Sequence, residues 1–354
     1  MDLKDCRREI DDIDDRILEL LNRRADLAMR IGEIKKAQKQ KLYVPSRERA
    51  IFERLMRHNS GPFPADAIQR VFREIISASL SLEHPIRTVY LGPRATFTHA
   101  AALEKFGQSA QLAPVRTIAS VFEEVETGRA QFGVVPIENS NEGAVTHTLD
   151  RFLSSEVHIF AEHYLEVSHD LLSKSGELER IERIYSHPQA IEQCRVWLEE
   201  HFPHAQIIEV SSTAQAAQMV GEEHDAAAIA SKHAANLYAL RTAAARIETN
   251  HHNFTRFLII SKQEAGPSGK DKTSVVFSFR DQVGILARML EPFRTRSLNL
   301  MKIESRPIKK KAWEYVFFLD IEGHVHTPAL AEAMEELREM CKFLRYLGSY
   351  PRAR

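Results

Sequence analysis

Arg24 and Lys35 lie in a run of helical periodicity, where eleven residues at ~100° each bring two side chains to within roughly 20° of one direction, about 16 Å apart. Leu20, Leu27, Ala28 and Ile31 share that direction, so two cations ride on an apolar stripe. In the next helical stretch Glu48 shares a face with Phe52 and Leu55, and Arg47 is its neighbour. In the third, Ser79 and Glu83 continue the face of Ile68, Phe72, Ile75 and Ile76. Charges on a burying face are costly unless they are paired or meet a ligand. Arg24, Lys35 and Glu83 can snorkel at the stripe edges or pair with one another. A set spread over three helices points instead to a ligand site.

A second constellation lies further along. GPRATF at 92–97, ENS at 138–140, SHPQ at 186–189 and SST at 211–213 each follow a short apolar run and precede a helical stretch. Ser or Thr in that position caps free helix amides, and those amides with the helix dipole attract anions. Alone, each is an ordinary cap. At equivalent strand ends of an open α/β sheet they point to one cleft, because such sheets take ligands at their carboxyl ends. The most polar exit follows Val134-Val135-Pro136-Ile137, where Glu138, Asn139, Ser140, Asn141 and Glu142 come in succession. Glu138 and Asn139 are expected to face the ligand, with Gly143 freeing the backbone for the next helix.

The elements that must position these residues fall into three segments. Residues 1–85 read as three helices, broken by Tyr43-Val44-Pro45-Ser46 and Asn59-Ser60-Gly61-Pro62. A first helix of roughly 38 residues would run about 57 Å. Two shorter helices cannot cover it, so its stripe predicts a helical partner, most simply a second copy of the chain. In residues 86–262 apolar strands at 88–91, 133–136, 183–185, 206–210 and 227–230 alternate with helices, the α/β pattern. Residues 263–272 have linker composition, and 273–354 read strand, helix, strand, strand, helix, strand, with the third strand opening at Trp313. That order is the ferredoxin-like α+β unit. With 354 residues and a net charge of -1, the chain is a multidomain globular protein without bulk attraction to nucleic acid or membrane. Three scattered cysteines, no apolar leader and no 18-residue apolar run predict a reducing, cytoplasmic setting. No GxGxxG, Walker A or HExxH motif occurs and the histidines lack partners at ligand spacing, so neither cofactor nor metal is expected.

CRREIDDIDDRILELLNRR, IGEIK and PSRER in the first segment resemble the all-helical, intertwined-dimer chorismate mutases. The resemblance implies that Arg7 (from the opposite protomer), Arg24 and Arg47 hold the two carboxylates of chorismate. It further implies that Lys35 and Glu83 contact the breaking ether oxygen, that Glu48 takes the ring hydroxyl, and that Ser79 lines the pocket. A pericyclic rearrangement needs a folded dianion and a stabilised oxygen charge, which preorganised cations supply. GPRATFTHAA, GVVPIENSNEGAVTHTLD, SHPQAIEQC, SSTAQAAQMV, AAAIASKHAANLYAL and NFTRFLIIS resemble prephenate dehydratases. That implies a bilobal α/β fold like periplasmic binding proteins, with prephenate between the lobes. Thr255 is then the proton donor to the departing hydroxyl, Glu138, Asn139, Ser186 and Gln193 line the site, and Thr96, Ser211 and Arg256 are secondary binding candidates. Ala95 stands where that family usually has Gly, and Thr98 where it has Ser; a φ > 0 turn there would strain Ala95.

The last segment resembles an ACT domain. Gly284-Ile285-Leu286-Ala287 forms one motif; Asn299 and Leu300 with Glu304-Ser305-Arg306-Pro307 form the second. In related dehydratases these bind phenylalanine across a dimer interface. Ile285 is bulkier than the Ala common there, which bears on affinity. The whole chain resembles the bifunctional enzymes that take chorismate to prephenate and prephenate to phenylpyruvate, with L-phenylalanine as inhibitor and a homodimer or higher oligomer as the assembly. The competing reading is a non-catalytic amino-acid sensor on a helical dimerisation module. Arg24, Lys35 and Glu48 on the burying faces argue against it, because a dimerisation helix has no need of them.

Two departures from the mutase pattern carry a consequence: Glu83 replaces a Gln found in some members, and Val44 an Asp. Glu83 donates to an ether oxygen only when protonated. Mutase activity is therefore expected to fall as pH rises, and Glu83→Gln to flatten the profile. A wild-type profile that is flat from acid to alkaline pH would contradict this.

Overall fold

The structure, a computed structural model, describes residues 2–38, 43–307 and 315–353. Its described residues form two compact units, Met1–Arg87 with Phe106–Gln111, and Thr88–Lys105 with Leu112–Arg354. The first contains helices α1 (Leu3–Ala37), α2 (Pro45–His58) and α3 (Ala65–Glu83). Asp2 and Asp5 close a capping box at the start of α1, and Pro45 occupies the first turn of α2. At about 1.5 Å per residue the 35 residues of α1 run ~52 Å, well beyond the 14 of α2 and the 19 of α3. The stripe accordingly stays open: Ile10, Ile13, Ile17, Leu20, Leu27, Ile31 and Ile34 are exposed. Gly32 is the buried residue of α1, and a Cβ there would stand 2.7 Å from Glu83 Cγ and 3.1 Å from the Glu83 carbonyl oxygen. That close approach brings α1 against the end of α3.

The second unit opens with β1 (Arg87–Leu91), α4 (Phe97–Phe106), β2 (Gln111–Val115), α5 (Ile118–Glu126), β3 (Phe132–Asn139), the short β4 (Gly143–Ala144), α6 (Thr146–Phe152) and β5 (His158–Glu166). The chain then builds a second lobe from β6 (Asp170–Ser173), β7 (Arg183–Ser186), α7 (Pro188–His201), β8 (Gln206–Glu209), α8 (Thr213–Val220), β9 (Ala226–Ala230), α9 (Lys232–Tyr238) and β10 (Arg241–Ala244). It returns to the first lobe as β11 (Phe254–Ser261). The first lobe's sheet has the order β2-β1-β3-β11-β5, with β4 on β3, and the second lobe's has β10-β6-β9-β7-β8. The chain thus crosses between lobes twice, the bilobal α/β arrangement expected from the sequence. Strands 88–91, 133–136, 183–185, 206–210 and 227–230 appear where the alternation places them, within a residue or two at their ends, though β3 runs on to Asn139.

The remainder is β12 (Asp271–Ser278), α10 (Ile285–Thr295), β13 (Leu300–Pro307), β14 (Tyr315–Glu322), α11 (Pro328–Met340) and β15 (Phe343–Pro351), in the sheet order β13-β14-β12-β15. This is the ferredoxin-like unit. Trp313, the expected start of its third strand, lies outside the described residues. Its helices bury Met289, Phe293, Leu330, Met334 and Leu337 on one face of the sheet. The other face packs on the first lobe, closely enough that a Cβ on Gly348 would stand 2.3 Å from the Ile159 carbonyl oxygen.

Gly32→Ala tests the helical contact. Helix propensity favours Ala by about 1 kcal/mol, whereas forcing a methyl into a filled contact costs about 1–3 kcal/mol. With backbone oxygen as one of the clashing atoms, the clash wins: a lower melting temperature for the first unit and loss of whatever activity depends on Glu83 are expected.

Candidate functional sites

In the first unit a cavity of about 370 Å³ is lined by Arg24, Leu27, Ala28, Ile31, Lys35, Tyr43, Val44, Arg47, Glu48, Ile51, Ile76, Ser79, Leu80 and Glu83. Six of the seven residues singled out on this unit meet there; the seventh, Arg7, is on an exposed part of α1 outside the cavity. The pairing considered above does occur: Lys35 Nζ is 2.6 Å from Glu83 Oε1. Arg24 donates to Ser79 Oγ and, at 3.2 Å, to the Ile75 carbonyl. Burial lowers the Arg24 pKa, yet an arginine keeps its charge throughout the working pH range. Glu48 is buried and accepts from Tyr43 Oη at 2.5 Å and Arg73 Nη1 at 2.8 Å. Both oxygens are thereby oriented, each with a lone pair to offer. Tyr43 and Arg73 escaped the sequence reading because Tyr43 lies in the irregular segment before α2 and Arg73 on α3, 25 residues from Glu48.

In the second unit a cleft of about 810 Å³ lies between the lobes. All the strand exits reach it: Thr96, Asn139, Gln189, Ser211, Ser212 and Thr213 line it. His187 Nδ1 caps α7 and Ser212 Oγ caps α8, so two helix N-termini are presented to the cleft. No lysine or arginine is among the described residues that line it.

One polar chain crosses this cleft. Asn139 Nδ2 donates to Thr255 Oγ1 at 2.8 Å and to Asn253 Oδ1 at 2.7 Å. Its Oδ1 accepts the backbone N–H groups of Asn141 and Glu142 at 2.9 and 3.1 Å. Every hydrogen-bonding position of the Asn139 amide is thus in use, and the Thr255 hydroxyl, which accepts from Asn139, keeps its proton to donate. Asn253 Nδ2 and His169 Nε2 both meet Gln193 Oε1, at 3.1 and 3.0 Å. Burial depresses the His169 pKa, so the ring is neutral with its proton on Nε2. Asn253 lies inside the NFTRF stretch and His169 in VSHDLL; neither drew notice as a lone residue, because their partners come from segments far away in sequence.

Three expectations need correction. Glu138 does not face the cleft. On β3 and β11 Asn139 pairs with Thr255 and Glu138 with Arg256, and the next pair is Pro136 with Phe257. Ile137 is therefore an extra residue, a β-bulge. Alternation puts Asn139 and Thr255 in front, and Glu138 and Arg256 behind, where Glu138 meets Lys302 Nζ at 2.8 Å. Arg256, placed as a secondary substrate contact, is 5% exposed and pairs with Glu162 and Asp320 at 2.9 and 2.7 Å. Ser186 is fully buried and donates to the Ile229 carbonyl at 2.8 Å, leaving its neighbour His187 to line the cleft.

In the ferredoxin-like unit Gly284 has φ +74 and starts α10, with Ile285, Leu286 and Ala287 in the first turn. On β13 Glu304 faces the first lobe, Arg306 donates to the Thr146 carbonyl at 2.6 Å, and Ser305 and Pro307 are exposed on the other side. Asn299 and Leu300 stand where β13 begins, Asn299 donating to Glu322 at 3.4 Å.

Together these describe an enzyme with a cationic helical cavity, a separate interlobe cleft, and a ferredoxin-like sheet behind that cleft. Residues 6–84 match the type II chorismate mutase family, 88–265 the prephenate dehydratase family and 273–339 the ACT domain. A bifunctional chorismate mutase/prephenate dehydratase of Aquifex aeolicus is 52% identical over 356 residues, 99% of this chain and 98% of that one. One from Stutzerimonas stutzeri is 44% identical over 357 residues, with the same coverage. The crystal structure of a prephenate dehydratase from Arthrobacter aurescens, in complex with L-Phe, is similar with a TM-score of 0.70 at 36% identity, over 76% of this chain and 90% of that one. The chain belongs to the bifunctional chorismate mutase/prephenate dehydratase family. Among the described residues no helix is long and apolar enough to cross a membrane, and no His, Cys, Asp and Glu group is arranged to hold a metal.

Ala95 has φ +68, the strained turn that an Ala was expected to suffer there, and its N–H donates to His99 Nδ1 at 3.1 Å. The His99 ring stacks on Tyr90 and meets His233 Nε2 at 3.1 Å. Burial, then His233 and Arg94, hold its pKa down to about 4. Unfolded, it would take a proton near ~6.5. Between those values unfolding binds a proton, so stability is complete above about 6.5 and is lost as pH falls toward 4. Urea unfolding across that window should show His99→Gln losing less stability on acidification than wild type.

Proposed function

We propose that the helical cavity rearranges chorismate to prephenate and that the interlobe cleft converts prephenate to phenylpyruvate, with L-phenylalanine as inhibitor. In the cavity Arg24 and Arg47, with Arg7 from a second copy, take the carboxylates; Lys35 donates to the ether oxygen, as Glu83 does in its protonated form; Glu48, held by Tyr43 and Arg73, accepts from the ring hydroxyl. The exposed stripe of α1 supports a homodimer, since a second α1 would cover the apolar side chains left open.

In the cleft the ring carboxylate leaves as CO2, its bonding electrons pass into the ring, and the para hydroxyl departs as water with a proton from Thr255. The observation that carries this reading is the 2.8 Å hydrogen bond from Asn139 to Thr255, which aims the hydroxyl proton away from Asn139. Helix N-termini and neutral donors bind the dianion in place of lysine or arginine. That suits a decarboxylation, because a direct ion pair would stabilise the very charge the ring must draw off.

Thr255→Ala should abolish formation of phenylpyruvate from prephenate while chorismate is still consumed at the wild-type rate. Asn139→Ala should lower kcat more than it raises KM, because Asn139 positions the donor. Phenylpyruvate appearing from chorismate, followed by absorbance with and without phenylalanine, tests the whole scheme; loss of both activities in Thr255→Ala would count against it.

A further inference from the structure

Behind the Asn139–Thr255 pair four charges form two facing cross-strand pairs. Glu138 and Arg256 are partners across β3 and β11; Lys302 and Asp320 are partners across β13 and β14. Between the sheets Lys302 Nζ lies 2.8 Å from Glu138 Oε2, and Arg256 Nη1 lies 2.7 Å from Asp320 Oδ2. Arg256 is also 3.9 Å from Glu138, which closes the quartet. Each first-lobe member is covalently next to a residue of the cleft: Glu138 precedes Asn139, and Arg256 follows Thr255. Any shift of this pair along the strands therefore moves the donor and the group that aims it.

One of the opposing members, Lys302, stands on a strand with another duty. β13 carries the second ACT motif, and Lys302 lies within it, between Leu300 and Glu304. From the same strand Arg306 grips the first turn of α6 through the Thr146 carbonyl and Asp150. Thr146 and His147 line the cleft. A cavity of about 30 Å³ bordered by Arg256, Lys302, Glu304 and Asp320 leaves the quartet without close packing on one side. The Lys302–Glu138 pair is partly exposed, and such pairs contribute little to stability. Its consequence is geometric.

Resting on the dehydratase and effector assignments above, we propose that Lys302 is a positioning residue of the dehydratase centre. Acting through Glu138, it fixes Asn139 and Thr255 and transmits the state of β13 to them. Phenylalanine bound at the ACT motifs then inhibits by moving Lys302 relative to Glu138, without entering the cleft.

Asp320 is unsuitable as a probe, because removing a buried partner leaves Arg256 uncompensated and endangers the fold. Lys302→Met in the full chain is the test, with Lys302→Arg as the conservative rescue and thermal melting as the control for folding. For Lys302→Met, kcat on prephenate should fall at least fivefold with KM within twofold. The phenylalanine concentration for half inhibition should rise at least tenfold while phenylalanine affinity by calorimetry stays within threefold. Lys302→Arg should restore most of both. In a Glu138→Gln background Lys302→Met should cause little further loss. Unchanged kcat, or unchanged half inhibition, in Lys302→Met overturns the proposal. If the wild-type chain binds no phenylalanine, the effector assignment itself fails, and the kcat comparison alone decides the positioning role.

Discussion

Arg256 is a guanidinium buried against two sheets, and the second unit is arranged around satisfying it. Burial alone would lower its pKa; Tyr350, Asp320, Glu162 and Tyr164 outweigh that and raise it. Glu162 is shared with Lys272 at 2.8 Å, and Tyr350 accepts from Arg256 at 3.0 Å. These partners come from β5, β12, β14 and β15. An ion buried without them would cost several kcal/mol, so the first lobe cannot present this face without the ferredoxin-like sheet, nor can the sheet bury Lys272 and Asp320 without the lobe. The dehydratase cleft lies on the other side of the same strands. Its order depends on a network on the far face of its own strands.

Helical chemistry was largely legible in the amino-acid order. In a helix direction follows from spacing alone, so the faces that carry Arg24, Lys35, Glu48, Ser79 and Glu83 are readable in the sequence, and the cavity brings those faces together. The ferredoxin-like unit was legible for a different reason: its order of strands and helices is diagnostic, and its helices carry one apolar face. Strand chemistry was less so. The strand reads as ending at 136, which puts both Glu138 and Asn139 in the exit loop; β3 instead runs on to Asn139 with Ile137 as a bulge, and alternation within it gives the cleft Asn139 and turns Glu138 away.

Other misses have equally local causes. β5 reads HIFAEHYLE, and its buried Glu162 breaks the apolar pattern because the compensating cations lie about a hundred residues away. β2 contains Pro114, which is tolerated because β2 is an edge strand. Asn253 and His169 belong to a network spanning 114 residues, from Asn139 to Asn253, and nothing in a local window marks such a pair. Ser186 carries the right residue type for a strand exit, but as the last residue of β7 it turns into the core.

The two cavities differ in one respect that reaches beyond geometry. One is lined by Arg24, Lys35 and Arg47; among the described residues the other has neither lysine nor arginine along its walls. At physiological ionic strength charges are screened over about 8 Å, and a partly open cavity lined by cations feels that screening much more than a cleft whose described lining offers helix ends and amides but no cation. On the proposed assignment of the two sites, salt is expected to weaken capture of the first substrate more than capture of the second. Within a single chain, the ionic composition of the surroundings would then shift the balance between making the intermediate and consuming it.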